Sequence, residues 1–273
     1  MSTLVIGYQE ALTQQVITTV VGRSANSKLL TLDEVLDPTL LSTSLGASSS
    51  VILITTDTFL GIAQDLNKTL NVVTEVLNEA LRYDVPVIHI GSALALGRGS
   101  KGQIISADTD WADDLDWDQQ AFLHHRIDRE FWRATAEGLQ GNAVALSIVD
   151  TAVQDHNIAL QKAKELLGLK CYPVGSAGVL SEDSLKHLLQ HITNPFAPST
   201  DRQLWVDRNI SYKEWLKEIA ASTGQSEMAL KPIVPIKKGL RGWWDAMLGR
   251  NYGLDKAYLQ VLSTELNYTS LST

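Results

Sequence analysis

The stretch MSTLVIGYQEALTQQVITTVVG, residues 1–22, decides the fold. Its first part, TLVIG (3–7), is a short apolar run rich in β-branched residues and closed by a glycine. Its second part, 8–22, carries apolar residues near helical spacing and stops at Gly22, a C-cap residue type. The chain therefore opens as strand, turn and helix, with Gly7 the one glycine in the turn.

The same unit recurs downstream. KLLTLD (28–33) reads as a second strand, and DEVLDPTLLSTSLG (33–46) as one or two short helical turns with Pro38 at or near a helix start. SSVILITTD (49–57) and VPVIHIGS (85–92) are apolar runs of the kind buried on both faces. Between them, 58–84 predicts a long amphipathic helix. A Gly-containing acidic loop (93–118), a helix (119–141) and a strand, NAVALSIVD (142–150), follow. Strands alternating with helices predict a parallel sheet covered on both faces, with right-handed crossovers. After 150 the rhythm changes. Residues 155–169 and 181–194 look helical, and RQLWVDR (202–208) looks like a strand. SYKEWLKEIAASTG (211–224) starts with Ser211 and has Glu214 three residues later, a capping box. The expectation is an α/β domain over 1–150 with a smaller α+β lobe over 151–273 packed on it.

Composition narrows the function classes. A formal net charge of −8 argues against nucleic acid or an anionic membrane as the main partner, since both are bound through Lys and Arg. One cysteine, Cys171, allows no internal disulfide and reads as a buried thiol. No apolar run approaches the roughly eighteen residues that a membrane span needs, and the start lacks a secretory pattern. A cytoplasmic location is the expectation. The histidines have no zinc spacing, and the acidic run from Asp108 to Asp118 lacks the Gly and Glu of a calcium loop. GRGSKG (97–102) lacks the flanking strand and helix of a P-loop. The basic, aromatic stretch KKGLRGWWDAMLGR (237–250) reads as a Trp-anchored packing element.

NVVTEVLNEALRYDVPVIHIGSALALG (71–97), FLHHRIDRE (122–130) and RQLWVDRNISYKEWLKEIAASTG (202–224) together carry a family likeness. The chain resembles the extended short-chain dehydrogenase/reductases, the NAD-dependent epimerase/dehydratase group. The resemblance implies a Rossmann-like doubly wound parallel sheet with a smaller C-terminal α+β lobe. It places Ser92, with Gly97 after it, where the family has its catalytic Ser or Thr. Asn71 or Asn67 falls at the helix Asn. Phe122 stands at the Tyr of Tyr-x-x-x-Lys, Arg126 at the Lys, and Glu130 keeps the following Glu. Gly7 and Asp33 fall at the cofactor positions, although Asp33 also reads as an N-cap.

The departures point away from redox chemistry. The family turn G-x-x-G-x-x-G is here Gly7-x-x-Glu10-x-x-Thr13. The middle glycine lets backbone amides approach a pyrophosphate at a helix N-terminus. Glu10 sets bulk and charge there, with repulsion on the order of 4 kcal/mol for a close charge pair near a surface. Phe122 has no ionisable group and cannot move the proton that accompanies hydride transfer. Arg126 holds a charge but replaces no hydroxyl. His124 and His125 lie beside this gap; they read as helix histidines, or as one titrating group near Ser92. The interval from Gly7 to Ser50 is shorter than the family's by a strand and a helix. TTDTF (55–59) replaces a small turn, and Val149-Asp150 carries no following glycine.

The resemblance thus implies a degenerate member with lost or impaired NAD(P) binding, acting as a binding, regulatory or partner subunit. The alternatives are an epimerase, dehydratase or reductase working through Ser92 and Arg126, and an interaction module whose cleft is filled by its own side chains. No tightly bound cofactor is expected, and NAD or NADP if any. The two long helices, 58–84 and 119–140, carry apolar residues on more than one side. They predict a homodimer, or a heterodimer with an active relative.

Overall fold

The computed structural model describes residues 2–8, 13–14, 16–18, 27–56, 66–97, 104–109, 119–150, 166–192, 201–222, 224, 229–233 and 265–269. Glu10, most of GRGSKG, residues 110–118 of the acidic run and the stretch 237–250 lie outside them.

Six strands form the main sheet: β1 (Thr3–Gly7), β2 (Lys28–Thr31), β3 (Ser50–Ile54), β4 (Val87–Ser92), β5 (Gly141–Leu146) and β9 (Gln203–Trp205). Their order is β2-β1-β3-β4-β5-β9, and every neighbouring pair is parallel. The central strands are continuous apolar runs because both faces are covered. Every residue of β4 and β5 is buried.

Side chains alternate across this sheet and meet two helical layers. On one side, Leu4, Ile6, Val51, Leu53 and Val87 pack with helices α2 (Leu66–Arg82) and α3 (Gln119–Ala136). Helix α2 supplies Val72, Val73, Val76, Leu77 and Ala80, a single apolar stripe at helical spacing. Helix α3 supplies Leu123, Ile127, Phe131 and Ala134. On the other side, Val5, Ile52, Ile54, Ile88 and Ile90 meet Val16 and Leu185, Leu188 and Leu189 of helix α4 (Glu182–Ile192). The doubly wound sheet expected from the sequence is thus present.

Helix α1 (Pro38–Gly46) follows β2 after a 3-10 turn, Glu34–Leu36. Asp37 caps it by accepting from the Thr39 and Leu40 amides, at 2.9 and 3.2 Å, and Pro38 takes the first turn. Between β1 and β3 the described sheet holds only β2, which forms its edge.

The second half departs from the expected split. A strand expected over 142–150 breaks at Ser147, whose hydroxyl donates to the Trp205 carbonyl at 3.1 Å. There the chain leaves the main sheet, and β6 (Ile148–Asp150) joins a smaller sheet, β10-β8-β6. Its other strands are β8 (Ser176–Ser181) and β10 (Arg208–Ser211). The strand expected over 202–208 divides likewise: β9 closes the main sheet and β10 enters the small one. A boundary at 150 is therefore not a boundary of the sheet, since β9 and α4 both serve the first layer. A two-stranded parallel pair, β7 (Cys171–Pro173) with β11 (Lys231–Ile233), lies beyond.

Helix α5 (Tyr212–Ser222) carries the expected capping box. The Ser211 hydroxyl donates to Glu214 Oε2 at 2.8 Å, and the Glu214 amide donates back to Ser211 Oγ at 3.2 Å. Its Tyr212, Trp215, Leu216 and Ile219 form a further core with Ala93, Leu94, Leu204 and Val206. Cys171 is buried there; burial pushes its thiol pKa up, so it is an inert packing group.

The helix expected over 58–84 is described from Leu66. Its exposed positions, among them Asn71, Glu75, Asn78 and Arg82, are polar. Among the described residues of this helix, Leu70 and Leu81 are half-buried against the core; Phe59 and Ile62, also counted towards a second apolar face, lie outside the described residues. Among the described residues no helix is long and apolar enough to cross a membrane, and no group of His, Cys, Asp and Glu could hold a metal.

Candidate functional site

In an open parallel sheet, ligands bind outside the carboxyl ends of the strands, where strand order reverses. Here that crevice has two ends, one at β1 and one at β4.

Gly7 closes β1. Its carbonyl accepts from the Leu32 amide at 3.2 Å. A Cβ at Gly7 would lie 2.8 Å from Thr13 Oγ1 and 3.1 Å from Ile54 Cβ. Thr13, buried and helical, therefore sits directly on the turn. The glycine is needed for close packing by this chain's own side chain. Tyr8, next along, shares a 3.2 Å hydrogen bond between its hydroxyl and that of Thr69 on α2. Asp33 lies just past β2 and makes no side-chain cap. Asp33 holds the N-cap position of the 3-10 turn Glu34–Leu36, and its carboxylate pairs with Lys68 of α2 at 2.5 Å.

Ser92 closes β4 and is buried. It caps a 3-10 turn, Ala93–Leu96, by accepting from the Leu94 amide at 3.2 Å. His125 of α3 holds the same turn by donating from Nδ1 to the Ala95 carbonyl at 3.4 Å. Burial lowers the His125 pKa, against that bond and the nearby Asp128 carboxylate. His89, inside β4, bonds Thr55 Oγ1 through Nε2 at 2.8 Å and stacks on Phe131. Burial drives its pKa down to about 3, so it is neutral. Asp128 receives Arg202 through both carboxylate oxygens, and Arg202 also donates to the Ala107 carbonyl at 3.1 Å. This cluster ties α3 to the start of β9 beneath the turn.

Phe122 and Arg126 lie elsewhere. Phe122 is 46% exposed, and the Arg126 guanidinium sits over its ring at 6.0 Å. Arg126 is also exposed. Glu130 pairs with Arg133 at 2.8 Å. Ser92 is thus buried on its turn while Arg126 is exposed on α3.

What meets Ser92 is the end of the chain. Thr56, Ser92, Ser147, Gly178, Leu266 and Tyr268 are among the residues lining a cavity of about 20 Å³. That is room for one water molecule. Leu266 is 1% exposed and Tyr268 5%. A Cβ at Gly178 would lie 2.8 Å from Tyr268 Cδ2, so the glycine makes space for the ring. The Tyr268 and Tyr212 phenols have pKa values pushed far up, chiefly by burial. Leu266, Tyr268 and Gly178 were missed from the sequence. Their only local signal is a two-residue alternation in ELNY (265–268), too short to read as a strand.

No family profile matches the sequence, and no curated protein matches it. Solved structures do. PA4631, a nucleoside-diphosphate-sugar epimerase from Pseudomonas aeruginosa, aligns at 16% identity with a TM-score of 0.73, over 99% of this chain and 88% of that one. The dTDP-glucose 4,6-dehydratase from Bacillus anthracis, in complex with NAD, aligns at 8% and 0.67, over 96% and 95%. The Bordetella bronchiseptica enzyme WbmH, in complex with NAD+, aligns at 12% and 0.67, over 85% of each chain. The chain thus shares the Rossmann-like α/β fold of these solved structures, the fold class expected from its sequence.

Proposed function

We propose that this chain is a divergent relative of the nucleotide-sugar epimerases and dehydratases that keeps their frame without their redox chemistry. It works as a binding, regulatory or partner subunit. The observation that carries this reading is the Ser92 cavity, which Leu266 and Tyr268 of this same chain line among the described residues. Thr13 packed on Gly7, the Asp33–Lys68 pair and the outward-facing Phe122 support it. Two of the solved structures are complexes with NAD; here Asp33, at the position that the resemblance gives to the ribose, is paired with Lys68.

Native mass spectrometry of the purified protein tests this reading. The expected species is the bare chain, and a copurifying NAD or NADP would overturn it. Loss of a measured hydride transfer on Ser92→Ala would do the same.

Assembly belongs to the proposal. Helices α2 and α3 lie side by side, with Arg133 donating to Asn78 Oδ1 at 3.0 Å. Phe122, Arg126 and Arg129 of α3 are exposed, as are Asn71, Glu75 and Asn78 of α2. Aromatic and Arg side chains are enriched at interface centres. We assign this surface to a homodimer, or to a heterodimer with an active relative. Sedimentation at micromolar concentration should show twice the chain mass; a clean monomer would remove the homodimer.

A further inference from the structure

The segment in the Ser92 crevice is held as a bound peptide is held. Residues 265–269 lie extended between two backbones, with parallel bridges from Tyr268 to Ile105 and from Glu265 to Ser176. The Ile105 amide donates to the Asn267 carbonyl at 2.7 Å, and the Thr269 amide donates to the Ile105 carbonyl at 2.9 Å. On the opposite side, the Leu266 amide donates to the Ser176 carbonyl at 3.2 Å. Asn209 of β10 grips both backbone groups of Tyr268. Its Nδ2 donates to the carbonyl at 2.7 Å, and its Oδ1 accepts from the amide at 2.8 Å.

Alternate side chains then line the cavity. Leu266 and Tyr268, two apart and so on one side of an extended segment, are both buried, while Glu265 and Thr269 are exposed. Main-chain hydrogen bonds for affinity and pockets for alternate side chains are the recognition mode of extended peptides. Gly178 completes the aromatic pocket, because any side chain there would meet the Tyr268 ring.

We propose that the Ser92 crevice is a peptide-binding groove selective for an extended Leu-x-Tyr segment, and that residues 265–269 are its resident, exchangeable ligand. The inference rests on the reading above, since a peptide groove and a working nucleotide-sugar site cannot share this space. The same sequence offered in trans competes for the same groove when the resident segment is weakened.

The test uses the full chain and a fluorescent peptide spanning residues 263–271. Wild type should bind it weakly. The Leu266→Gly/Tyr268→Gly variant should bind it at least roughly tenfold tighter, since its own segment no longer fills the pockets. Adding Asn209→Ala to that variant should cost roughly tenfold again, the loss of two hydrogen bonds. A folded double variant that does not bind the peptide, or binds it equally with and without Asn209, overturns the proposal.

Hydrogen exchange on wild type serves if the variant does not fold. The Ile105, Leu266, Tyr268 and Thr269 amides should exchange together and faster than the amides of Ile90 and Val144. Protection equal to that of the central strands would show a fixed element and overturn exchangeability. Dinucleotide titration of wild type separates the two claims. The peptide can fail while NAD still does not bind, and NAD binding would remove the parent reading by itself.

Discussion

On the proposed reading, the two ends of the crevice are closed in different ways. At β1 the closure is local: Thr13, six residues after Gly7 in sequence, folds back onto the turn. At β4 it is remote: Leu266 and Tyr268 arrive at Ser92 from the far end of the chain. Both leave the sheet beneath untouched. On the proposed reading, a doubly wound frame loses its open site without repacking its core, because the site lies outside the strand ends and the core lies between the layers.

That contrast predicts unequal effects of mutation. Phe131 is fully buried, stacks on His89 and supports α3 below both ends. Phe131→Ala should cost about 3–5 kcal/mol, and both ends should be lost in one unfolding transition. Denaturant midpoints followed by tryptophan fluorescence and by far-UV circular dichroism check this. Two separated transitions would mean that the smaller sheet folds apart from the frame.

Gly7→Ala acts at the local closure only. The added carbon would sit 2.8 Å from Thr13 Oγ1, so a loss of about 1–3 kcal/mol is expected from overpacking. Thr13→Ala in the same chain should recover part of it. A purely additive double mutant would show that Thr13 does not close the turn.

His89 gives a pH signature of the frame between the ends. Its folded-state pKa of about 3 lies below the ordinary 6.5, chiefly from burial and secondarily from His124 and Arg202. The native state then binds fewer protons than the unfolded state between these values. Stability from this group is complete above about pH 6.5 and falls as the pH drops towards 3, by at most about 1.4 kcal/mol per pH unit. His89→Gln, which leaves Thr55 a partner, should flatten that dependence in urea midpoints measured from pH 7 to 4.

The smallest effect is expected at Asp33. Both partners of its pair with Lys68 are substantially exposed. Lys68→Met should change stability by less than about 1 kcal/mol. A larger loss in thermal melts would make the pair a structural element of the nucleotide end.

The same contrast explains what the sequence made legible. The frame was readable because β3, β4 and β5 are apolar runs of strand length and α2 has one clean stripe. Ser211 and Glu214 announced α5 by a local hydrogen-bond pattern. Gly7 and Ser92 were placed correctly at strand ends because a strand's end is a local property. Phe122 and Arg126 were paired with Ser92 only through the family pattern, and the two lie on the exposed side of α3. The break at Ser147 and the return of β9 were hidden, because a continuous apolar run does not say which sheet each residue joins. The strap at 265–269 was hidden more deeply. Its bonds go to Ile105, Ser176 and Asn209, three sequence-distant partners that no periodicity connects.

The central claim is that this frame no longer takes a dinucleotide, and calorimetric titration of the purified chain tests it most directly. NAD(H) and NADP(H), each carried to millimolar concentration, should give no saturable heat. A saturable isotherm with a micromolar Kd for any of them would contradict the account and return the chain to the working enzymes of its fold.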